Sequence, residues 1–146
     1  MCGYIGQISQ NEINHEKLLN QNKNIICRGP DEKQHIEGNL SEFSNRNNLN
    51  YSFIFNRLSI VDLSSKADQP MLDRESQRII VFNGEIYNHS KIRNFLKSQN
   101  YIFDTFSDTE VILKAYDYWG DSLLEHLEGM FSIVIYDPLA NKIFFA

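Results

Sequence analysis

A cysteine directly follows the first methionine, in the stretch Met1-Cys2-Gly3-Tyr4-Ile5-Gly6. Cysteine is small enough for Met1 to be cleaved off, and this cleavage would leave Cys2 with a free α-amine. An α-amine titrates near about 7.7–8.0, so its neutral form can take the thiol proton and let the thiolate attack a carbonyl. Taken alone, however, a cysteine at the start of a strand is usually a small apolar residue. The remaining motifs must decide between these two interpretations.

Four further stretches need an explanation together with Cys2. Considered singly, each has an ordinary structural one: Asn83-Gly84 is typical of a hairpin turn, and Arg57 could form a surface ion pair. Asp108 could be a first-turn acid favoured by the helix dipole, and Glu85 a solvated charge on a strand. The stretches are Cys27-Arg28-Gly29-Pro30-Asp31, Arg57-Leu58-Ser59-Ile60-Val61-Asp62, Asn83-Gly84-Glu85-Ile86-Tyr87-Asn88 and Ser107-Asp108-Thr109-Glu110-Val111.

In this order, the motifs resemble the glutamine-hydrolysing domain of asparagine synthetase and its class II amidotransferase relatives, which are N-terminal-nucleophile hydrolases. The resemblance extends from Cys2 to the end of the chain and includes Gln69-Pro70-Met71 and Leu127-Glu128-Gly129-Met130-Phe131. It implies an α+β fold, a four-layer αββα sandwich truncated at its C-terminus. The implied reaction splits the side-chain amide of glutamine into glutamate and ammonia, and residues 1–146 would form one type 2 glutamine amidotransferase domain.

The resemblance also assigns roles to residues in the reaction. Cys2 corresponds to the nucleophile, which attacks the amide carbon and creates an oxyanion. Asn83 would stabilise this oxyanion with its side-chain NH₂, and Gly84 with its backbone N–H.

The two charged ends of glutamine need partners of opposite charge. Arg57 resembles the family's arginine that holds the α-carboxylate, a role suited to a planar bidentate donor. Glu85 and Asp108 resemble the carboxylates that receive the α-ammonium. The resemblance adds the residues expected to line the pocket: Arg28, Gly29, Leu58, Ser59, Ile60 and Val61.

Two stretches depart from the family pattern. Cys27 stands where a histidine is common, and we expect it to be a buried thiol with no catalytic role. Phe55-Asn56 replaces a His-Glu pair. These departures indicate a divergent member and leave open whether ammonia passes to aspartate, another carboxylate or a sugar. A catalytically silent domain that binds glutamine or a protein partner is the alternative.

Composition sets the limits for the fold that carries these residues. With 146 residues and 42% hydrophobic content, the chain is expected to form one domain around a sizeable core. The net charge of -5 and scattered basic residues argue against nucleic-acid binding. No long apolar run or signal peptide is visible, so we expect a cytoplasmic protein without membrane contact. Two cysteines and four scattered histidines show no metal-ligand spacing, and we therefore expect no metal.

Hydrophobic periodicity predicts the elements that position the motifs. Strands are predicted over 2–8, 34–38, 51–60, 78–82 and 130–136, and helices over 15–26, 88–99, 108–119 and 123–127.

The resemblance also predicts the ligand and the partners of the domain. We expect L-glutamine as substrate and a C-terminal synthetase domain, outside this fragment, that holds ATP and Mg²⁺. Whether the protein forms a homodimer stays open. The apolar end of the chain fits a fragment of a longer protein.

Overall fold

Two antiparallel sheets dominate the computed structural model, which describes residues 2–39, 49–58 and 64–146. The first sheet has the order β1-β3-β2 and the second has the order β4-β5-β6-β7. The strands of the first sheet are β1 (Gly3–Ser9), β2 (Glu32–Asn39) and β3 (Asn50–Arg57). Those of the second are β4 (Met71–Leu72), β5 (Ile79–Ile86), β6 (Gly129–Asp137) and β7 (Lys142–Phe145).

The first sheet confirms three of the predicted strands. β3 is its central strand, and almost all of its residues are buried because both of its faces are covered. Tyr51, Phe53 and Phe55 belong to the core between the two sheets, so the alternate residues of β3 face the opposite side of the sheet. The strand ends at Arg57, which is earlier than the pattern predicts.

The second sheet contains the Asn83-Gly84 motif within a strand. β5 continues through both residues, and they pair with Ser132 and Phe131 of β6. The hairpin-turn explanation of Asn83-Gly84 is therefore wrong. The predicted strand over 130–136 is confirmed, but it is covered on both faces only in its second half, since Met130 is 72% exposed.

The first helix is shorter than predicted. α1 (His15–Asn22) begins after Asn14, whose Oδ1 accepts a hydrogen bond from the Lys17 backbone N–H at 2.9 Å. The helix ends at Asn22, and Ile26 lies in a separate 3₁₀ turn with 48% of its surface exposed. Asn22 turns inward to bind the side chain of Asn56 in β3 through two hydrogen bonds of 2.7 and 3.1 Å.

Both later helices lie where the sequence predicts them. α2 (His89–Ser98) follows Asn88, whose side chain binds the segment after α3 and does not cap α2. α3 (Asp108–Trp119) begins at Ser107, whose Oγ accepts from the Thr109 backbone N–H at 3.1 Å. α3 ends at Gly120, which has a φ of 57°, and a 3₁₀ helix over Gly120–His126 follows.

The core has two parts. One part packs the second sheet against α2 and α3, and the other lies between the two sheets. The first includes Ile80, Phe82, Ile92, Leu96, Ile112 and Ile135, and the second Tyr51, Phe53, Phe55, Ile79, Val81 and Tyr136. The described residues thus form a mixed α/β fold. None of their helices combines the length and hydropathy needed to cross a membrane.

Candidate active site

Cys2 lies immediately before β1, partly buried at the end of the first sheet. Its Sγ accepts a hydrogen bond from the Leu58 backbone N–H at 3.3 Å and lies 3.8 Å from the Leu58 carbonyl oxygen. Leu58 directly follows β3, which pairs with β1. The antiparallel register therefore places the sulfur beside the predicted substrate-binding residues Arg57 and Leu58.

The Arg28-Gly29 loop is held against Cys2 and the end of β3. The Arg28 Nε donates to the Cys2 carbonyl oxygen at 3.3 Å. At Gly29, an added Cβ would lie 2.1 Å from the Asn56 carbonyl oxygen, so only glycine lets the two backbones approach this closely. The Asp31 backbone N–H donates to the Arg57 carbonyl oxygen at 3.1 Å. The loop thus lies next to Cys2.

Arg57 is buried, with 7% of its surface exposed, so the surface ion pair is the wrong explanation for it. Its Nη1 forms an ion pair with Asp68, donates to the Ser64 carbonyl oxygen at 3.3 Å and lies 3.9 Å from Glu32 Oε2. Burial raises the pKa of Asp68, although the neighbouring Arg57 charge lowers it. These contacts fix the orientation of the guanidinium group at the end of β3.

Asn83 and Gly84 lie where β5 reaches the exposed end of the second sheet. Asn83 Oδ1 is buried and has no hydrogen-bond partner among the residues described. Gly84 has a φ of 150°, and an added Cβ would lie 2.1 Å from the Met130 carbonyl oxygen. A side chain is therefore excluded at Gly84 both by backbone conformation and by space. Glu85, the next residue, is exposed.

Asp108 begins α3 and contacts the same end of β5. Its Oδ2 accepts from the Ile86 backbone N–H at 3.3 Å, which places its carboxylate near the backbone beside Glu85. Burial raises the pKa of Asp108, while the hydrogen bond from Ile86 and the nearby His89 lower it. Asn83, Gly84, Glu85 and Asp108 thus form a second group of predicted site residues.

Two contacts join this second group to the group around Cys2. The Tyr4 hydroxyl in β1 lies 2.7 Å from Ser132 Oγ, and Ser132 pairs with Asn83. The other link is Gln69, which follows the Arg57 partner Asp68 in the chain.

Gln69 is a buried polar residue that sequence reasoning did not assign to the site. Its Oε1 accepts from the Phe82 backbone N–H at 2.6 Å, and its Nε2 donates to Thr109 Oγ1 at 3.1 Å. Because β4 pairs only with Ile79 and Ile80, the Gln69 amide occupies the edge of β5 beyond the end of β4. Its place in the Gln69-Pro70-Met71 motif was the available signal.

The structure contradicts the prediction that Cys27 is a buried thiol. Cys27 is exposed, because the early end of α1 leaves it in the surface 3₁₀ turn. Phe55 belongs to the core between the sheets, and Asn56 binds Asn22. The predicted pocket residues Ser59, Ile60 and Val61 lie outside the described residues.

Comparison with known proteins supplies independent evidence about the family of this chain. A family model described as a glutamine amidotransferase domain matches residues 1–146. Asparagine synthetase [glutamine-hydrolyzing] 1 of Bacillus subtilis is 33% identical over 142 residues, which is 94% of this chain and 21% of that protein. A probable asparagine synthetase [glutamine-hydrolyzing] of Schizosaccharomyces pombe is 36% identical over 147 residues, which is 98% of this chain and 24% of that protein.

A solved structure shares the fold. Glutamine phosphoribosylpyrophosphate amidotransferase from B. subtilis, complexed with ADP and GMP, superposes with a TM-score of 0.69 at 19% identity, covering 94% of this chain and 35% of that chain. The present chain spans about a fifth of the length of the asparagine synthetases that it matches. The family match over the full chain, together with these relatives, shows that the chain belongs to the glutamine amidotransferase domain family.

Proposed function

We propose that this domain hydrolyses the side-chain amide of glutamine to glutamate and ammonia, with Cys2 as the nucleophile. The observation that carries the proposal is the position of the Cys2 sulfur, which lies against Leu58 at the end of β3. Membership of the amidotransferase family supports the same reaction, and so does the similarity to glutamine-hydrolysing asparagine synthetases.

The reaction proceeds through a covalent intermediate. With Met1 removed, the Cys2 α-amine takes the thiol proton, and the sulfur forms a bond to the amide carbon of glutamine. Asn83 Nδ2 and the Gly84 backbone N–H donate to the oxyanion that forms. The carbon–nitrogen bond breaks as the α-ammonium returns a proton to the departing ammonia. Water, activated by the neutral amine, then hydrolyses the thioester and releases glutamate.

Both ends of glutamine are held by charges. Arg57 binds the α-carboxylate, since its contacts with Asp68 and Ser64 fix the guanidinium without removing its positive charge. Asp108 and Glu85 receive the α-ammonium at the end of β5. The close approach of Gly84 to β6 fixes the path of the backbone that presents its N–H.

The larger protein is inferred from the relatives. We expect the αββα layering of the N-terminal-nucleophile hydrolases, with α1 on the outer face of the first sheet. A synthetase domain in a longer chain would activate the ammonia acceptor with ATP and Mg²⁺, and no described residue is assigned to either. Aspartate is the acceptor that the relatives' names support. We place the protein in the cytoplasm, and a homodimer stays open.

Glutamate release from glutamine by protein lacking Met1 tests the proposal. We expect Cys2→Ala to abolish release while Cys27→Ala, which removes the exposed second thiol, leaves it unchanged. Protein that retains Met1 should also be inactive because its Cys2 amine is in a peptide bond. Equal rates for the parent and Cys2→Ala would refute glutamine hydrolysis by Cys2 and would support the alternative of a catalytically silent glutamine-binding domain.

A further inference from the structure

We propose that His15, His35 and Glu37 form a binding site for a divalent transition-metal ion of the Zn²⁺ type. The three residues come from two elements on the outer face of the first sheet. Their ligand atoms, one per residue, all lie within 4.8 Å of one another. Spacing along the chain gives no sign of this cluster, because pairing of the strands and the position of α1 create it.

The alternation of β2 explains why the three side chains meet. Ile36 packs against the core between the sheets, so its neighbours His35 and Glu37 face the opposite side. α1 contacts β1 and β3, and His15 is its first residue. This position brings the His15 ring edge-to-face with the His35 ring, with 5.7 Å between the ring centroids.

The distances from Glu37 to the two histidines are close to those between the ligands of a tetrahedral ion. Glu37 Oε2 lies 2.8 Å from His15 Nδ1 and 3.3 Å from His35 Nε2. Neighbouring ligands around Zn²⁺ are about 3.3 Å apart when metal–ligand bonds are about 2.0–2.1 Å long. Two imidazoles and one carboxylate are a common ligand set for Zn²⁺. Because all three side chains are partly exposed, water can occupy the fourth position.

Ser52 supports the two histidines from below. Its Oγ lies 2.9 Å from His35 Nε2 and 3.4 Å from His15 Nδ1, and Ser52 is fully buried in β3. Without an ion, this hydroxyl and Glu37 hold the ring nitrogens together as a hydrogen-bonded cluster. The same arrangement keeps the ligands close enough for an ion to replace those hydrogen bonds.

The metal site is separate from the candidate active site. Ser52 and Arg57 are both in β3, and at the usual rise of a strand they are about 17 Å apart. A metal ion at His15, His35 and Glu37 would therefore connect α1 to the first sheet without contacting Cys2. The proposal is thus independent of glutamine hydrolysis.

Zn²⁺ titration against a chromophoric chelator tests the site in the full chain. The background carries Cys2→Ala and Cys27→Ala, because an N-terminal thiol and amine would themselves bind Zn²⁺. We expect one tightly bound Zn²⁺ per protein chain. The ion should also raise the Tm of the protein, since it binds the folded site. His15→Gln or His35→Gln should weaken binding by more than about 100-fold, because loss of even outer partners costs roughly 10–100-fold.

His126→Gln is the matched control, since it removes an exposed histidine elsewhere and should leave binding unchanged. Glu37→Gln alters a half-exposed side chain while keeping its size, and it should weaken binding in a chain that still folds. Circular dichroism checks the fold of each variant. Failure of the background protein to bind Zn²⁺, or equal affinities for His35→Gln and His126→Gln, would overturn the proposal.

Discussion

Replacement of Asn83 by alanine separates catalysis from stability. Asn83 Oδ1 is buried and has no hydrogen-bond partner in the described part of the chain, so these surroundings do not replace the hydrogen bonds that the oxygen makes to water in the unfolded protein. The proposed catalytic group is the other end of the same amide, which donates to the oxyanion. Alanine removes both atoms, and the two consequences have opposite signs.

The size of each effect follows from the contacts. Loss of one oxyanion donor costs about 10²–10³-fold in kcat, or about 2.7–4 kcal/mol in barrier height. An unsatisfied buried acceptor costs about 1–3 kcal/mol, and alanine also loses the packing of a few atoms. We therefore expect Asn83→Ala to raise the free energy of unfolding by about 1 kcal/mol while KM for glutamine changes little.

Asn56→Ala is the matched control, because Asn56 is a buried asparagine whose amide oxygen and nitrogen each have a hydrogen-bond partner. It exchanges two hydrogen bonds with Asn22, and their loss leaves Asn22 unsatisfied. Asn56→Ala should therefore lower the free energy of unfolding by about 3 kcal/mol.

Urea unfolding and steady-state glutamate release measure both variants at a temperature where each remains folded. If Asn83→Ala destabilises the protein as much as Asn56→Ala does and keeps its kcat, Asn83 is a structural residue and the oxyanion assignment is refuted.

Three further predictions concern the substrate-binding residues Arg57 and Asp108 and the buried Gln69. Arg57→Ala should raise KM for glutamine at least about tenfold with a smaller change in kcat; a fall in kcat alone would contradict the carboxylate role. Because burial raises the pKa of Asp108, its ammonium-binding charge should be lost as pH falls through a value above 3.8, so KM should rise there. Asp108→Asn should have a high KM that lacks this pH dependence, and an unchanged profile would exclude the role. Gln69→Leu leaves the Phe82 N–H unsatisfied, so urea unfolding should show a loss of about 1–3 kcal/mol; unchanged stability would contradict it.

Local sequence patterns predicted the ends of helices correctly where residues close in sequence determine them. α1 starts at residue 15 and α3 spans residues 108–119, as predicted. These ends depend on neighbours in sequence, namely the caps Asn14 and Ser107 and the terminal Gly120. α1 ends earlier than its apolar residues indicate, since Asn22 binds Asn56 across the sheet. The strand through Asn83-Gly84 was likewise decided by pairing with β6, which overrides the local turn preference.

The candidate site also contains residues that the sequence identifies and residues that only tertiary contacts reveal. The motif residues could be identified from sequence, and the structure places Cys2, Arg28, Gly29, Arg57 and Leu58 together at one end of the first sheet. Gln69 belongs to a recognisable motif, but the hydrogen bonds by which it connects Phe82 with Thr109 could not be predicted, because its partners are distant in the chain. The exposure of Cys27 depends on where α1 ends, and one-dimensional periodicity located that end too late.

The hydrogen bond between Tyr4 and Ser132 joins the two sheets, and the docking of these sheets has a consequence for the activity of the protein. The proposed nucleophile precedes β1, whereas the proposed oxyanion donors belong to β5, so neither sheet alone contains a working centre. A chain with two correctly paired but poorly docked sheets would look folded by circular dichroism and yet release no glutamate. The rate of glutamate release would then report whether the two sheets are correctly docked, which spectroscopy of secondary structure does not detect.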